Sequence, residues 1–301
     1  MRTIILSFIL CGVLLVGWDQ LVKRKLAGMR TVKAAAQFDQ NVMKAQSFVY
    51  ARWQPKVVIA GSSISARLTS HPKEWYNLAF AGGSAFTALD IIDRSDSKPD
   101  VVLIETNVLT VAEDHRLLDS LFFPVLSKAR DRYPGLREQY KPSHVLVTAL
   151  PNPESSNKSA GLSADRYGEQ VNRRLNELAT APKDEELNAI VEKLERYVKK
   201  LQAKGILVVF FEVPEYDKGT NLPRPAAVRR AVQSAFPESQ YAWVPFVDAG
   251  DYTTTDAVHL DSSSAKRYAN VVAEYVAALS ALPGTRPASA SESATVKLTR
   301  D

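Results

Sequence analysis

The sequence predicts an α/β domain with a parallel β-sheet that helices cover on both faces, preceded by an N-terminal membrane anchor. Short runs rich in valine and isoleucine recur along the chain, and segments with helical spacing separate them, which is typical of a parallel sheet. An uninterrupted apolar run at the N-terminus predicts the anchor. The composition, 46% hydrophobic and 24% charged over 301 residues, is that of an ordinary globular protein.

The N-terminal apolar run covers residues 4–18 and is followed by the basic residues Lys23, Arg24 and Lys25. It has the length of a signal-peptide core, whereas a membrane span usually needs about 20 residues. Because no small-x-small cleavage site follows, we interpret residues 1–26 as an uncleaved anchor, with a signal segment as the alternative. We expect a single pass through the inner or cytoplasmic membrane, with the domain in the periplasm or outside the cell. The basic residues after the run oppose this orientation under the positive-inside rule.

The predicted elements follow in order along the chain. A helical stalk is expected over residues 27–54, and Pro55 ends it. The α/β domain is expected over residues 55–282, with a less regular insertion at about 111–182, and the Ser- and Ala-rich tail at 283–301 is predicted to be disordered. The strands of the domain are predicted at residues 56–60, 76–79, 100–106, 206–213 and 243–248.

Two helices of the domain are predicted most clearly. Apolar residues recur at helical spacing over residues 187–201, with acidic residues before them, lysines after them and Gly205 where a C-terminal cap is expected. A final amphipathic helix is predicted over residues 264–282. Chemistry in a parallel sheet of this kind gathers at the carboxyl ends of the strands, so the polar residues at those ends are the first candidates for a site.

The first candidates are a serine and an Asp-x-x-His pair. Ser63 follows the first strand in a Gly-Ser-Ser turn, which can expose its hydroxyl as a nucleophile at the start of a helix. Asp256 precedes His259 by three residues after the last strand, and an acid so placed can orient the imidazole that deprotonates a serine. Taken singly, each has an ordinary structural explanation, as a turn with a helix cap or a surface histidine beside an acid.

Two further residues can complete an acyl-transfer site. Gly82 follows the second strand and Asn107 ends the third, and a backbone N–H and a side-chain amide there can stabilise an oxyanion together with the N–H of Ser63. Alone, they are explained as a turn glycine and a polar strand end. Together, four strand ends each supply one component of a single site, so the sequence predicts a Ser63, Asp256 and His259 triad.

This order of motifs resembles the SGNH (GDSL-like) hydrolase superfamily, whose four sequence blocks supply Ser, Gly, Asn and His. The blocks here are VVIAGSSISARL, YNLAFAGGSA, VVLIETN and DAVHLDSSSAKRYA, and the resemblance covers residues from about 56 to 280. It implies a three-layer α/β/α sandwich with a flavodoxin-like sheet and no cofactor. It also implies that Ser63 is the nucleophile, Asp256 the orienting acid, His259 the base, and Ser63, Gly82 and Asn107 the oxyanion donors.

The resemblance has two departures from the family pattern. The first block reads Gly-Ser-Ser rather than Gly-Asp-Ser, so that Ser62 replaces an acidic residue. The third block reads Glu105-Thr106-Asn107-Val108 rather than Gly-x-Asn-Asp. Neither change removes a triad or oxyanion group, and both indicate a divergent branch rather than a lipase of broad specificity.

Membrane-anchored relatives with similar first blocks include the alginate and cellulose O-acetylation proteins and the lipoteichoic-acid D-alanylation protein. The resemblance therefore implies a serine-dependent O-acyl, and specifically acetyl, transferase or esterase that acts on a cell-surface or secreted polysaccharide. Its partners would be an acyl-ester donor, a glycan acceptor and a membrane-bound acyltransferase. Triad chemistry does not distinguish hydrolase from transferase. The alternatives are a catalytically weak glycan-binding or scaffolding subunit, and a lipase or thioesterase suggested by the apolar residues Phe122 and Phe123.

The sequence also argues against several classes of protein. The 38 Lys and Arg residues are spread along the chain against 33 Asp and Glu, so nucleic-acid binding is not expected. No Walker loop or dinucleotide motif is present, and the four histidines lack paired metal-ligand spacing, so no cofactor or metal is expected. The single cysteine, Cys11, allows no intramolecular disulfide. Arg67 is a candidate contact for an anionic substrate, with a surface salt bridge as the alternative.

Overall fold

A computed structural model describes residues 1–24, 36–144 and 164–281. The chain divides into two compact units. The anchor unit comprises Met1–Arg52 and His115–Ala160, and the sheet unit comprises Trp53–Asp114 and Gly161–Asp301. The tail predicted to be disordered, 283–301, lies outside the described residues.

The sheet unit contains a five-stranded, all-parallel sheet in the order β2-β1-β3-β4-β5. The strands are β1 (Val57–Ala60), β2 (Trp75–Asn77), β3 (Val101–Glu105), β4 (Leu207–Phe211) and β5 (Ala242–Trp243). The prediction of a mixed α/β fold with a parallel sheet is confirmed.

The fifth strand is shorter than predicted. It ends at Trp243 rather than at residue 248. One further ladder bond follows the strand, from the N–H of Val244 to the carbonyl of Phe210 (2.9 Å). Beyond Val244, no backbone hydrogen bond joins the described residues of this segment to β4.

The principal helices are numbered in chain order. They are α1 (Arg2–Lys23), α2 (Gln37–Val49), α3 (Ala85–Arg94), α4 (His115–Phe122), α5 (Pro124–Arg132), α6 (Ala164–Leu178), α7 (Asp184–Ala203), α8 (Asp217–Thr220), α9 (Pro223–Ala235) and α10 (Ser262–Ala281). The two helices predicted most clearly correspond to α7 and α10, and Gly205 after α7 has a φ of +75°, as a C-terminal cap requires.

The core of the sheet unit encloses the sheet on both faces. Every residue of β1 and β3 is buried, which explains why these strands are continuously apolar rather than alternating. Helix α10 packs through Tyr268 and Val272 into a cluster with Ile59 and Leu103 on one face. Helices α3 and α7 pack against β1 and β4. This packing fixes the carboxyl ends of β1 and β3, where the candidate site residues lie.

The anchor unit begins with α1, which is long and apolar enough to span a membrane, with a mean hydropathy of 2.0. Its large apolar side chains at Ile4, Ile5 and Leu6 and from Ile9 to Val16 are exposed, and so is Leu21. Its last turns are bonded into the folded unit instead. Trp18 Nε1 donates to the Tyr140 carbonyl (2.9 Å), and the buried Asp19 accepts from the N–H of Gly135 (3.0 Å).

Helix α2 lies in the segment predicted as a stalk, of which residues 27–35 are outside the described part. It packs against α4 and buries Phe48, and Gln46 Oε1 accepts from the N–H of Glu138 (2.7 Å). The described part of this segment is therefore a packed element of the anchor unit.

Candidate functional site

The turn that carries Ser63 follows β1 directly, and we call residues 61–68 the nucleophile turn. Its first residue must be glycine, because a Cβ at Gly61 would lie 2.5 Å from Glu105 Oε2 and 2.9 Å from Glu105 Cβ. The turn continues into a short 3-10 helix, Ser65–Arg67, and presents the half-buried Ser63 at the carboxyl end of the sheet.

A buried carboxylate on the neighbouring strand holds this turn. Glu105, the last residue of β3, is 1% exposed. Its Oε2 accepts from the N–H groups of Ser62 (2.8 Å) and Ser65 (3.1 Å), and its Oε1 accepts from the Ser62 hydroxyl (2.6 Å). Ser62 Oγ accepts in turn from the N–H of Ile64 (3.1 Å). In the sequence, Glu105 is distinguished only as a departure from the family motif, although an acid at the end of a wholly apolar strand is a usable signal.

Among residues 62–68 of the nucleophile turn, one backbone N–H group has no hydrogen-bond acceptor in the described parts of the chain. The N–H groups of residue 62 and of residues 64–68 all donate to Glu105, to Ser62 Oγ or to carbonyls within the turn. The N–H of Ser63 has no acceptor within the described parts of the chain. It is therefore available to a bound group, as an oxyanion donor must be.

Residues 254–260, which we call the His259 loop, hold Asp256 and His259 between β5 and α10. Thr254 and Leu260 close the loop as an antiparallel bridge, and the N–H of Thr255 donates to the His259 carbonyl (2.8 Å). Between the two functional residues, the buried Ala257 has a φ of +66°, a left-handed conformation that costs a non-glycine residue about 1 kcal/mol. This conformation reverses the direction of the chain, so that the side chains of Asp256 and His259 contact each other.

The structure brings the three predicted triad residues together. His259 Nε2 lies 2.9 Å from Ser63 Oγ, and His259 Nδ1 lies 2.7 Å from Asp256 Oδ2. Burial raises the pKa of Asp256, but the hydrogen bonds from the backbone N–H and the ring of His259 outweigh it, so the pKa lies below its ordinary value. With Asp256 ionised, Nδ1 carries the proton and Nε2 faces the serine as a base.

Gly82 belongs to the segment that follows β2 and runs beside the start of the nucleophile turn. In this segment the N–H of Leu78 donates to the carbonyl of Ile59 (2.9 Å), and the N–H of Phe80 donates to the carbonyl of Gly61 (3.1 Å). Gly82 follows two residues later with a φ of +71°, and within the described residues its N–H has no acceptor. The N–H of Gly82 is thus a second donor without an acceptor in the described residues, on the segment that follows the carboxyl end of β2.

The side-chain amide of Asn107, predicted as an oxyanion donor, is hydrogen-bonded to the segment that follows β4. Its Nδ2 donates to the Val213 carbonyl (2.8 Å) and to Glu215 Oε1 (3.1 Å), and its Oδ1 accepts from the N–H of Val213 (2.8 Å). Glu215 also pairs with Arg174 on α6 (2.8 Å), and burial raises the pKa of Glu215 against the opposing effect of Arg174. Because both amide hydrogens are occupied, this arrangement does not support Asn107 as an oxyanion donor.

Arg67 ends the short helix of the nucleophile turn and is exposed. It forms no ion pair with any residue that the structure describes, so the alternative of a surface salt bridge finds no partner there. Its proposed role toward an anionic substrate stays a prediction.

One group of potential metal ligands, which sequence spacing did not indicate, lies in the anchor unit. The ligand atoms of Asp39, Glu138 and His144 lie within 4.8 Å of one another. The ammonium of Lys141 lies 2.5 Å from Glu138 Oε1 and already balances that carboxylate. The group therefore has a sufficient explanation as a charge network.

Comparisons of the chain with protein-family models, with curated proteins and with solved structures find no match.

Proposed function

We propose that this protein is a serine-dependent O-acyl transferase or esterase of the SGNH type, acting on acetyl or similar esters of a cell-surface or secreted polysaccharide. The observation that carries the proposal is the continuous contact from Ser63 Oγ through the His259 ring to Asp256 Oδ2, at 2.9 and 2.7 Å. The strand order, which is that of flavodoxin-like sheets, supports a three-layer fold of this type.

In the proposed mechanism, His259 Nε2 takes the proton of Ser63 as Oγ attacks the ester carbonyl carbon. The free N–H groups of Ser63 and Gly82 stabilise the oxyanion. The intermediate collapses, and His259 returns the proton to the departing alcohol, leaving an acyl-serine. Water or a sugar hydroxyl, deprotonated by the same imidazole, then attacks the acyl carbon, and the imidazolium returns the proton to Ser63 Oγ as the acyl–serine bond breaks. Asp256 stabilises the charged imidazole in both halves.

The anchor supports a membrane setting for this chemistry. The proposal places the chain in the inner or cytoplasmic membrane through α1, with the site in the periplasm or outside the cell. There it would receive acyl groups from a membrane-bound acyltransferase and pass them to a glycan.

The first test is the mass of the full-length protein after brief exposure to p-nitrophenyl acetate. We expect an acetyl adduct that peptide fragmentation assigns to Ser63, and no adduct in Ser63→Ala. Ser70→Ala, which removes an exposed serine close to the turn, should acquire the adduct as the wild type does. A folded wild-type protein that neither acquires an adduct nor turns over the ester would contradict the proposal.

The fate of the acyl group separates the two reaction types. With an acceptor oligosaccharide present, a transferase yields acylated sugar, whereas an esterase yields only free acid. Acylated sugar that disappears in Ser63→Ala would establish transfer through the serine.

A second candidate is a glycan-binding or scaffolding subunit with weak catalysis, and the bonded amide of Asn107 favours it. It predicts that glycan binding and complex assembly survive in Ser63→Ala together with cellular function. Loss of cellular function in a folded, assembled Ser63→Ala would exclude it.

A further inference from the structure

Glu105 is a buried acid that the triad mechanism does not use. It is 1% exposed, and it forms no ion pair with a described residue. A buried carboxylate without a cation is strongly unfavourable unless hydrogen bonds compensate it. Among the residues that the structure describes, the compensation comes from the nucleophile turn alone, through two donors of Ser62 and one of Ser65. The position of this charge and the shape of the turn therefore depend on each other.

We propose that Glu105 is a positioning residue for the acyl-transfer reaction, holding the nucleophile turn so that the N–H of Ser63 faces the oxyanion. The inference rests on the proposed function. Glu105 engages the N–H groups on either side of Ser63, at residues 62 and 65, and its partner Ser62 engages that of Ile64. The N–H of Ser63 is then the one donor of residues 62–68 that remains free.

A carboxylate suits this position better than any other side chain of its length. Three donors converge on its two oxygens, and an ionised carboxylate has only acceptors to offer them. In Glu105→Gln the amide oxygen can accept from both backbone N–H groups, but the NH₂ group then faces Ser62 Oγ, and the Ser62 hydroxyl proton loses its acceptor. The same contact contributes to the glycine at position 61, since Ser65 Oγ and the Glu105 side chain together occupy the space of a Cβ there.

The test compares Glu105→Gln with a matched control in the full-length protein held in nanodiscs. The control is Glu212→Gln, which removes a carboxylate near the end of β4 that pairs with Arg229 rather than with the turn. We expect Glu105→Gln to lower kcat for p-nitrophenyl acetate about 100-fold, because small displacements of reacting groups have effects of this size. KM should stay unchanged. The control should keep the wild-type kcat.

A double-mutant cycle with Ser62→Ala adds a readout that general destabilisation would not change. If Glu105 acts through the turn, Glu105→Gln and Ser62→Ala disturb the same interaction. The fold-loss in kcat of the double variant is then much smaller than the product of the two single fold-losses. Multiplicative losses would contradict the proposal. If Glu105→Gln does not fold, Ser62→Ala alone decides, because it removes one donor and keeps the carboxylate. A wild-type kcat in folded Ser62→Ala would then overturn the proposal.

The outcomes separate this inference from the proposed function. A folded Glu105→Gln with wild-type kcat, beside an inactive Ser63→Ala, overturns the role of Glu105 and leaves the triad intact. If the wild type itself acquires no adduct, the proposed function fails. Amide hydrogen exchange then decides the positioning claim: Ser62 and Ser65 must exchange faster in Glu105→Gln than in Glu212→Gln, and equal rates overturn it.

Discussion

The nucleophile turn and the His259 loop hold the two halves of the triad in different ways. The turn is bonded from outside, by a carboxylate 43 residues away on β3. The loop is bonded from within, since Asp256 Oδ1 accepts from the N–H groups of Val258 and His259, two and three residues later. One half of the site therefore depends on the assembled sheet, whereas the other is largely fixed by local hydrogen bonds.

The difference predicts how each half responds to substitution. Changes within the loop should alter the imidazole and its tautomer while the sheet stays folded. Changes at the turn should affect both the reaction and the stability of the sheet, because Glu105 belongs to both.

The largest effect is expected from Asp256→Asn in the loop. The asparagine carbonyl should take over the two backbone N–H groups, so its NH₂ faces His259 Nδ1 and places the ring proton on Nε2. That tautomer cannot accept the proton of Ser63, and the rate of Ser63 acylation by p-nitrophenyl acetate should fall about 10³- to 10⁴-fold.

The matched control for this substitution is Asp261→Asn. Asp261 also bonds locally, to the N–H of Ser264 (2.7 Å) at the start of α10, but has no contact with His259. Asparagine caps a helix about as well as aspartate, so this substitution should change the stability little and leave the acylation rate unchanged. Equal rate losses in the two variants would mean that the loop does not act through the imidazole.

Gly61→Ala is expected to have the next largest effect, and it tests the turn. The new methyl group would collide with the Glu105 carboxylate, so either the turn or the end of β3 must move. The free energy of unfolding should fall by about 1–3 kcal/mol, as in other overpacked cores. The rate of Ser63 acylation should fall with it. Urea denaturation and the acetyl-adduct assay measure the two effects, and a variant with normal values for both would contradict the packing described here.

Substitutions of Ala257 should have a smaller effect, confined to the loop. Its φ of +66° is unfavourable for a β-branched residue, so Ala257→Val should lower the free energy of unfolding by about 1–2 kcal/mol. Ala257→Gly, which accepts this conformation without strain, should be neutral or slightly stabilising. Thermal denaturation of both variants beside the wild type provides the comparison, and a more stable valine variant would refute the strain.

The smallest effect concerns pH. The pKa of Asp256 is lowered in the folded protein from its ordinary value of 3.8, so its contribution to stability is present above that value and is lost as the pH falls through the lower, folded pKa. The difference in unfolding free energy between the wild type and Asp256→Asn should therefore be constant near neutral pH and shrink in acid. A difference that grows as the pH falls would contradict the direction of the shift.

The same contrast explains how much the sequence could predict. The Asp256 and His259 pair was visible because its spacing is local, and the strands were visible because buried parallel strands are continuously apolar. The bonds from Glu105 to the turn were not visible, because strand order and register decide which residue lies opposite Ser62. Neither can be read from a single strand.

Asn107 is a residue whose position could be predicted from the sequence, whereas its hydrogen bonds could not. Its position at the end of β3 was predicted, but the direction of its amide depends on Val213 and Glu215, more than 100 residues later in the chain. Pairing of this kind depends on the tertiary structure. The hydrogen bonds of Trp18 and Asp19 to the anchor unit could not be predicted either. An apolar run shows that a helix is able to enter a membrane, but it does not show at which residue the helix begins to pack against the folded protein.

The hydrogen bonds of Trp18 and Asp19 limit how the anchor unit can be oriented on a bilayer. The part of α1 before Trp18 is about 24 Å long, whereas the hydrocarbon core of a bilayer is about 30 Å thick. If α1 spans a bilayer, this mismatch must be met by local thinning of the bilayer or by drawing the anchor unit against the lipid headgroups. Because Trp18 and Asp19 are bonded to the anchor unit, its orientation changes with the tilt of α1. Lipids of different chain length should therefore change the angle at which the anchor unit stands on the membrane.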